Sequence, residues 1–429
     1  MKILVVGSGG REHALCWSLT KTSTDPHTIY CAPGSDRIAQ AAHCVAINAT
    51  DTKALARFAE DERIDLTIVG SEAPLAAGLA DEFAARRLAI AGPNAHAAQL
   101  ESSKAFAKEF MARHRIPTAR FRIAESANEA RAILQSGEFG DAHSPVVVKA
   151  DGLAAGKGVV VAQDRNEAES AISELMEQGR VGAEAARRVV LEETLTGHEA
   201  SLLFWTDGKD YLLMPPARDH KRIGEGDTGA NTGGMGAVTA PDVLDAETQA
   251  RVVREIVEPT LDGFTADEID FRGIVFIGLM LTSEGARVLE YNVRFGDPEA
   301  QAILVRLRSD LASIFDSVAR GHLSNVRAEW SEESSACVVL ASRGYPERPQ
   351  TGDVIFGLDS AHDDPRVQLF HAGTKRDGDG AWRTAGGRVL GVTSTGATLD
   401  RALARSYEAA SRIRWEGMQY RRDIGKFKG

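Results

Sequence analysis

Val147-Val148-Lys149-Ala150-Asp151-Gly152-Leu153-Ala154-Ala155-Gly156-Lys157-Gly158-Val159-Val160-Val161 reads as strand, glycine-rich turn, strand, with one lysine near the end of the first strand and another inside the turn. A P-loop ends in GK[ST] and opens a helix. Here Lys157 precedes a glycine and a β-branched run, so the stretch is no P-loop. It has the form of a flap folded over phosphates, Lys149 projecting from the strand and Lys157 carried by the turn. An ordinary hairpin with surface lysines is the competing reading, and the flanking sequence decides between them.

Upstream, short apolar runs at residues 3–6, 28–30, 66–69 and 88–91 alternate with helical patterns at 11–20, 52–60 and 75–86. Strand-like runs separated by helices imply βαβ units and a parallel sheet. Ligands of such sheets lie beyond the carboxyl ends of the strands, where the chain has Gly7-Ser8-Gly9-Gly10, Ala32-Pro33-Gly34-Ser35, Gly70-Ser71-Glu72 and Gly92-Pro93-Asn94. Ser102-Ser103 caps a helix expected over 104–114. Downstream of it come strands at 145–150, 159–162 and 188–192, with a helix at 167–178. A glycine-rich stretch follows at 224–236, then a helix near 247–257 and paired strands at 273–282 and 286–291. From about residue 329 short strands and turns take over, ending in a helix at 399–413. The expected fold is a multidomain α/β and α+β chain. Its domains are expected at 1–102 (parallel sheet), 103–190 (linker and small flap lobe), 191–328 (large lobe) and 329–429 (carboxyl-terminal α+β domain).

The 429 residues carry 50 basic and 61 acidic side chains, a net charge of −11. That sign disfavours a broad nucleic-acid surface, yet allows phosphorylated small ligands wherever cations are gathered locally. The longest apolar run, residues 274–281, is far short of the roughly 18 residues of a bilayer span. The apolar stretch at 3–6 is too short for a signal peptide. Cys16, Cys31, Cys44 and Cys337 form no CxxC pair, so neither a disulfide framework nor a zinc knuckle is expected, and the compartment is taken as reducing and cytoplasmic. No nucleic acid, membrane or obligatory protein partner is expected.

Gly7-Ser8-Gly9-Gly10-Arg11-Glu12-His13 follows a strand and opens a helix, so its amides are placed to receive a phosphate. It departs from GxGxxG at Glu12, and no acid ends the second strand, so a dinucleotide fingerprint fails on two counts. A tight structural turn is the alternative. Glu192-Glu193-Thr194-Leu195, with Gly197-His198-Glu199, reads as a connector between lobes. Its backbone can meet an adenine edge while a carboxylate takes ribose hydroxyls; a solvated acidic loop is the alternative. Glu290-Tyr291-Asn292 ends a strand, where residues i and i+2 share a face, so a carboxylate and an amide oxygen converge on one hard cation. Arg294, Asp297 and Glu299 follow, and a guanidinium beside a metal suits a phosphoryl group in transfer. Asp219-His220-Lys221-Arg222, with Asp227 and residues 231–236, is polar and dense in glycine, the composition of a backbone that must approach a ligand. His220 is read as structural rather than as a base.

In this order the segments closely resemble the phosphoribosylamine–glycine ligase family of the ATP-grasp superfamily. The resemblance takes in residues 7–13, 92–94, 103–104, 148–158, 192–199, 219–222, 231–237 and 289–299, then 371–374, 386–390 and 420–425. The lysine flap is common to the superfamily; residues 231–236 together with 292–299 are particular to this ligase family. The resemblance implies an ATP-grasp fold behind a Rossmann-like amino-terminal domain. It implies a reaction of ATP, 5-phosphoribosylamine and glycine giving ADP, phosphate and glycinamide ribonucleotide through glycyl phosphate, in purine synthesis. It further implies Lys104, Lys149 and Lys157 as ATP phosphate contacts, Glu192, Glu193 and Leu195 on the adenine side, and Glu199 on the ribose. Glu290 and Asn292 would be ligands of Mg2+ (or Mn2+). Gly9, Gly10 and Glu72 would line the phosphoribosylamine site. Asp219, Arg294, Asp297 and Glu299 would stand near glycine and the acyl phosphate, with Arg294, Lys149 and Asp219 the catalytic candidates. Ser71 and Ala230 stand where the family has proline, Glu225 where it has aspartate and Arg343 where it has glycine; none removes a proposed ligand. The last motif lies near the end of the chain, so a single-activity form is expected.

Overall fold

The computed structural model describes residues 1–154, 157–182 and 184–427; Ala155 and Gly156, at the centre of the expected flap turn, lie outside them. Five parallel strands form the first sheet, in the spatial order His43–Cys44, Thr28–Pro33, Lys2–Gly7, Leu66–Val69, Ile90–Ala91. Successive residues of Lys2–Gly7 point to opposite faces. Leu4 and Val6 join one apolar core, Ile3 and Val5 another, and all four are wholly buried. A strand covered on both faces reads as an unbroken apolar run, which is why the sequence shows no alternation there.

The same two cores run on into an antiparallel sheet of Tyr211–Leu213, His198–Thr206, Gly273–Thr282 and Gly285–Asn292. Leu202, Phe204, Val275 and Ile277 face the first core; Leu203, Trp205, Ile274 and Phe276 face the second. Sharing both cores fixes the ends of the parallel strands relative to Glu290 and Asn292. The small lobe is a separate antiparallel sheet of Phe121–Ala124, Val189–Glu193, Val146–Ala150 and Val159–Ala162. It has its own core around Val146, Val148, Ile172, Val189 and Leu191.

The third large sheet runs Arg218–Asp219, Gly236–Thr239, Ser334–Ala341, Arg388–Gly396, Val367–His371, with helix Leu399–Arg412 packed on it. Its first two strands come from the stretch assigned to the large lobe, so backbone pairing such as Gly236 with Val338 crosses the expected boundary at 328. The crossing needs glycine at 236, since a Cβ there would stand 2.7 Å from the Cys337 carbonyl and 2.8 Å from Ile424 Cδ1. The glycine-rich stretch therefore hangs between the large lobe and the last domain. The helix expected over 75–86 is two helices, Glu72–Ala76 and Leu79–Ala85, broken where Gly78 takes φ +81. Among the described residues no helix is long and apolar enough to cross a membrane.

Candidate active site

Lys149 belongs to a small-lobe strand, and its ammonium crosses to the large lobe. Nζ donates to the Leu289 carbonyl (3.2 Å) and pairs with Glu192 Oε1 at 2.9 Å. The other oxygen of Glu192 takes Lys108 Nζ at 3.0 Å. Lys108 also donates to Thr118 Oγ1 (2.7 Å), which donates to the Val288 carbonyl (2.6 Å). Lys108, Lys149 and Glu192 are only 2%, 7% and 2% exposed. Desolvation pushes the Lys108 ammonium down to about 8, with Glu192 opposing it. Sequence reasoning missed Lys108, because a lone lysine inside a helix reads as solvent-facing. The available signal was its spacing of four from Lys104, which puts both on one helical face. Lys104 Nζ donates to the Gly152 carbonyl at the flap base (3.3 Å). Burial lowers it, while Glu290 draws it back up. Lys157 stands exposed at the flap edge.

Glu290 and Asn292 share one face of Gly285–Asn292. Glu290 and Val288 pair with the consecutive residues Gly278 and Leu279, so Leu289 is bulged out and its carbonyl is available to Lys149. Burial alone would raise Glu290, but Lys221, Lys149, Lys104 and Arg294 together hold it below its ordinary value. These cations act on it through space, and none of the described residues donates a hydrogen bond to its carboxylate. A carboxylate and an amide oxygen leave most of an octahedral shell to phosphate oxygens and water, as Mg2+ beside a triphosphate requires. Among the described residues no cluster of three or more His, Cys, Asp and Glu forms an all-protein metal cage.

Arg294 is fixed from three directions. Nη2 donates to Asn292 Oδ1 (3.0 Å) and Glu101 Oε1 (2.6 Å), and Nε reaches Glu72 Oε2 (3.3 Å). Glu101 Oε2 in turn accepts the Val293 N–H (2.8 Å). Glu101 was also missed, since an acid just before the Ser102-Ser103 cap reads as a surface residue. Beside this ring, Lys221 Nζ pairs with Glu199 Oε2 at 2.7 Å. Burial would lower Lys221, but Glu199, Asp219 and Glu290 lift it well above its ordinary value. Burial pushes Asp219 up, and Glu199 and Glu290 add to the rise against the pull of Lys221. Glu299 is raised by burial and then by Asp219. This corner holds more negative charge than it can ionise comfortably, so it favours a shared proton or an incoming cation.

Beyond the parallel strands opens a cavity of about 580 Å³ lined by Gly7, Ser8, Glu12, Pro33, Asn48 and Ser71, among others. At the helix start, where the amides of Gly9 and Gly10 were expected to receive a phosphate, two side chains stand close by. Gly9 N–H already donates to Glu12 Oε2 (2.6 Å), and a Cβ on Gly10 would meet Gln301 Nε2 at 2.8 Å. The cavity is lined from this turn by Gly7 and Ser8. Arg11 fastens this turn to the large lobe, Nε on Glu12 (2.8 Å) and Nη1 on the Phe295 carbonyl (2.9 Å).

Glu192 is committed to its two lysines, and Glu193 to Arg120 N (2.8 Å) and Nε (2.7 Å). The Glu193 N–H bonds the Arg120 carbonyl (3.0 Å). Thr194 Oγ1 is buried with no partner among the described residues. His220 stacks on Phe427 with centroids 4.5 Å apart and accepts the Gly425 N–H at Nε2 (2.9 Å), a structural role. The departures are accommodated locally: Glu225 accepts the Arg422 N–H (3.2 Å) and Arg343 pairs with Glu416 (2.9 Å).

Three family models describing phosphoribosylglycinamide synthetase match the chain: the N domain over 1–101, the ATP-grasp (A) domain over 102–300 and the C domain over 335–427. A phosphoribosylamine–glycine ligase of Brucella melitensis is 48% identical over 426 residues, 99% of this chain and 97% of that protein. One of Xanthomonas axonopodis is 46% identical over 428 residues, again 99% and 97% of the two chains. A crystal structure of phosphoribosylamine–glycine ligase from Thermotoga maritima matches with a TM-score of 0.84 at 32% identity, covering 99% of this chain and 100% of that one.

Proposed function

The chain belongs to the phosphoribosylglycinamide synthetase family, and from that premise we propose how its own residues carry the reaction. It is an ATP-grasp ligase that uses ATP to join glycine to phosphoribosylamine in purine biosynthesis. A carboxylate is a poor electrophile, so one of its oxygens must first become a leaving group. In the proposed sequence a glycine carboxylate oxygen attacks the γ-phosphorus of ATP, the bond to the β-phosphate oxygen breaks, and ADP leaves glycyl phosphate. The amine nitrogen of phosphoribosylamine then attacks the acyl carbon, the bond to the phosphate oxygen breaks, and the nitrogen gives up one proton. That amine is already nucleophilic, so it needs orientation and a proton acceptor rather than activation.

Lys104, Lys149 and Lys157 are assigned to the phosphates, Thr194 and Leu195 to the adenine side, and the oxygen of Glu199 not held by Lys221 to the ribose. Arg294, already locked by Glu72, Glu101 and Asn292, is assigned to the phosphoryl group in transfer, where charge fixed in advance lowers the barrier most. Asp219 and Glu299 take the glycine ammonium, whose charge relieves their mutual repulsion. Glu290 and Asn292 would hold Mg2+ or Mn2+, which when bound neutralises phosphate charge as a Lewis acid. The cavity at Gly7, Ser8 and Ser71 takes phosphoribosylamine between Glu72 and Asp297. Four free cysteines suit a reducing compartment, and the reaction is placed in the cytoplasm.

The observation that carries this reading is Lys149, rooted in one lobe with its ammonium on the Leu289 carbonyl of the other, next to Glu290. A coupled ADP-release assay tests it. Turnover that needs both glycine and phosphoribosylamine supports the assignment. Bicarbonate dependence would point to a carboxylase of the same fold, and ATP binding without ADP release to a nucleotide sensor.

A further inference from the structure

Two segments marked in the sequence, residues 231–236 and 386–390, have no part in the chemistry above. The structure brings them together at one guanidinium. Arg388 opens a strand of the last domain, and its side chain reaches out of that domain to three acceptors. Nη2 pairs with Asp297 Oδ2 (3.1 Å), and Nη1 donates to the Asp297 carbonyl (2.6 Å) and to the Gly233 carbonyl. The fit leaves no room for side chains: a Cβ on Gly233 would stand 3.1 Å from Arg388 Cζ, and one on Gly234 would stand 2.5 Å from Pro298 Cδ. One cation thus ties the glycine block to the turn at Asp297.

Asp297 Oδ1 accepts Gln301 Nε2 (2.8 Å). Burial would raise this carboxylate, but Arg388, Arg11 and Arg294, from three regions of the chain, keep it ionised. Oδ2 lies 4.0 Å from where a Cβ on Gly9 would sit, so the carboxylate faces the turn that borders the amino-terminal cavity. Each carboxylate oxygen has a second lone-pair site beyond the contacts just given.

We propose that Arg388 is a positioning residue through which the last domain sets affinity for the amine substrate: it fixes the Asp297 carboxylate that receives donor groups of the phosphoribosylamine. The proposal rests on placing that substrate in the amino-terminal cavity. Steady-state kinetics of Arg388→Met, Arg388→Lys, Asp297→Asn and the Arg388→Met/Asp297→Asn double variant test it, each substrate varied in turn. Losing a charge-assisted contact should raise the KM for phosphoribosylamine in Arg388→Met roughly tenfold, with the KM for ATP within about twofold of the parent. The double variant should be no worse than Asp297→Asn alone, because Arg388 acts through that carboxylate. If Arg388→Met fails to fold, Arg388→Lys, which keeps the charge, should show the same selective rise at smaller amplitude. All three KM values rising together, or losses that multiply in the double variant, would overturn the proposal. A parent enzyme that needs no phosphoribosylamine would instead sink the substrate assignment itself.

Discussion

Glu192→Gln removes one charge from a buried triad and leaves the shape of the side chain intact. Two ammoniums, at 2.9 and 3.0 Å, lose their shared counter-charge in a place almost closed to water. Breaking a buried ion pair from one side costs about 3–5 kcal/mol, because the remaining charge is stranded. Here one ammonium has an escape. Lys108 already sits at about 8 with Glu192 beside it, so without Glu192 it sheds its proton near neutrality, and the low end, about 3 kcal/mol, applies. Spread over the 429 residues, that lowers the melting temperature by about 3 °C. Lys149 keeps its bond to the Leu289 carbonyl but loses its anchor, and the same 3 kcal/mol taken from the transition state is roughly a 100-fold loss in kcat/KM for ATP. The neighbouring change Glu193→Gln is the control. Its partner Arg120 has a side chain 65% exposed, and an exposed pair contributes about 0–1 kcal/mol. Differential scanning fluorimetry and ADP-release kinetics read both variants side by side. If Glu192→Gln melts within 1 °C (roughly, by the same scale) of the parent with unchanged ATP kinetics, or if the two variants behave alike, the triad does not position Lys149.

Glu290→Ala should abolish ADP formation while the fold survives, checked by circular dichroism beside the coupled assay; turnover at the parent rate would remove Glu290 from the metal site. Arg294→Lys cannot satisfy Glu72, Glu101 and Asn292 at once, so kcat should fall roughly 100-fold, the scale of losing one oriented donor; a loss confined to KM would place Arg294 in ground-state binding instead. Burial raises Glu299 from its ordinary 4.5 to about 8. An acid raised on folding costs the fold nothing below the lower value and progressively more as pH climbs toward the higher one. Glu299→Gln should therefore gain melting temperature over the parent between pH 5 and 8 (about the window those values set) and match it at the acid end, and a pH-independent difference would refute that.

Much of the fold was legible because burial leaves a periodic mark. The unbroken run at 3–6 announced a strand covered on both faces, and the Glu290-Tyr291-Asn292 spacing announced two oxygens on one face. What stayed hidden depends on contacts made far along the chain. Lys108 and Glu101 look like surface residues of a helix until Glu192 and Arg294 are folded onto them. That Glu12 would turn back to accept the Gly9 N–H was equally hidden behind the glycines of that turn. The pairing across residue 328 stayed hidden for a related reason: strand Gly236–Thr239 is too short and glycine-bordered to signal its partner Ser334–Ala341. Arg388 lay in a segment the resemblance marked without a role until the last sheet carried it to Asp297.

The measurement that bears most directly on the chemistry is the fate of glycine's own oxygen. With glycine labelled by heavy oxygen in its carboxylate, one labelled atom must pass to the inorganic phosphate each turnover if that carboxylate attacks the γ-phosphorus before the amine arrives. Mass spectrometry of the released phosphate reads it. Singly labelled phosphate is the expected result; phosphate carrying no label, with the product amide formed at the normal rate, would contradict the account at its root.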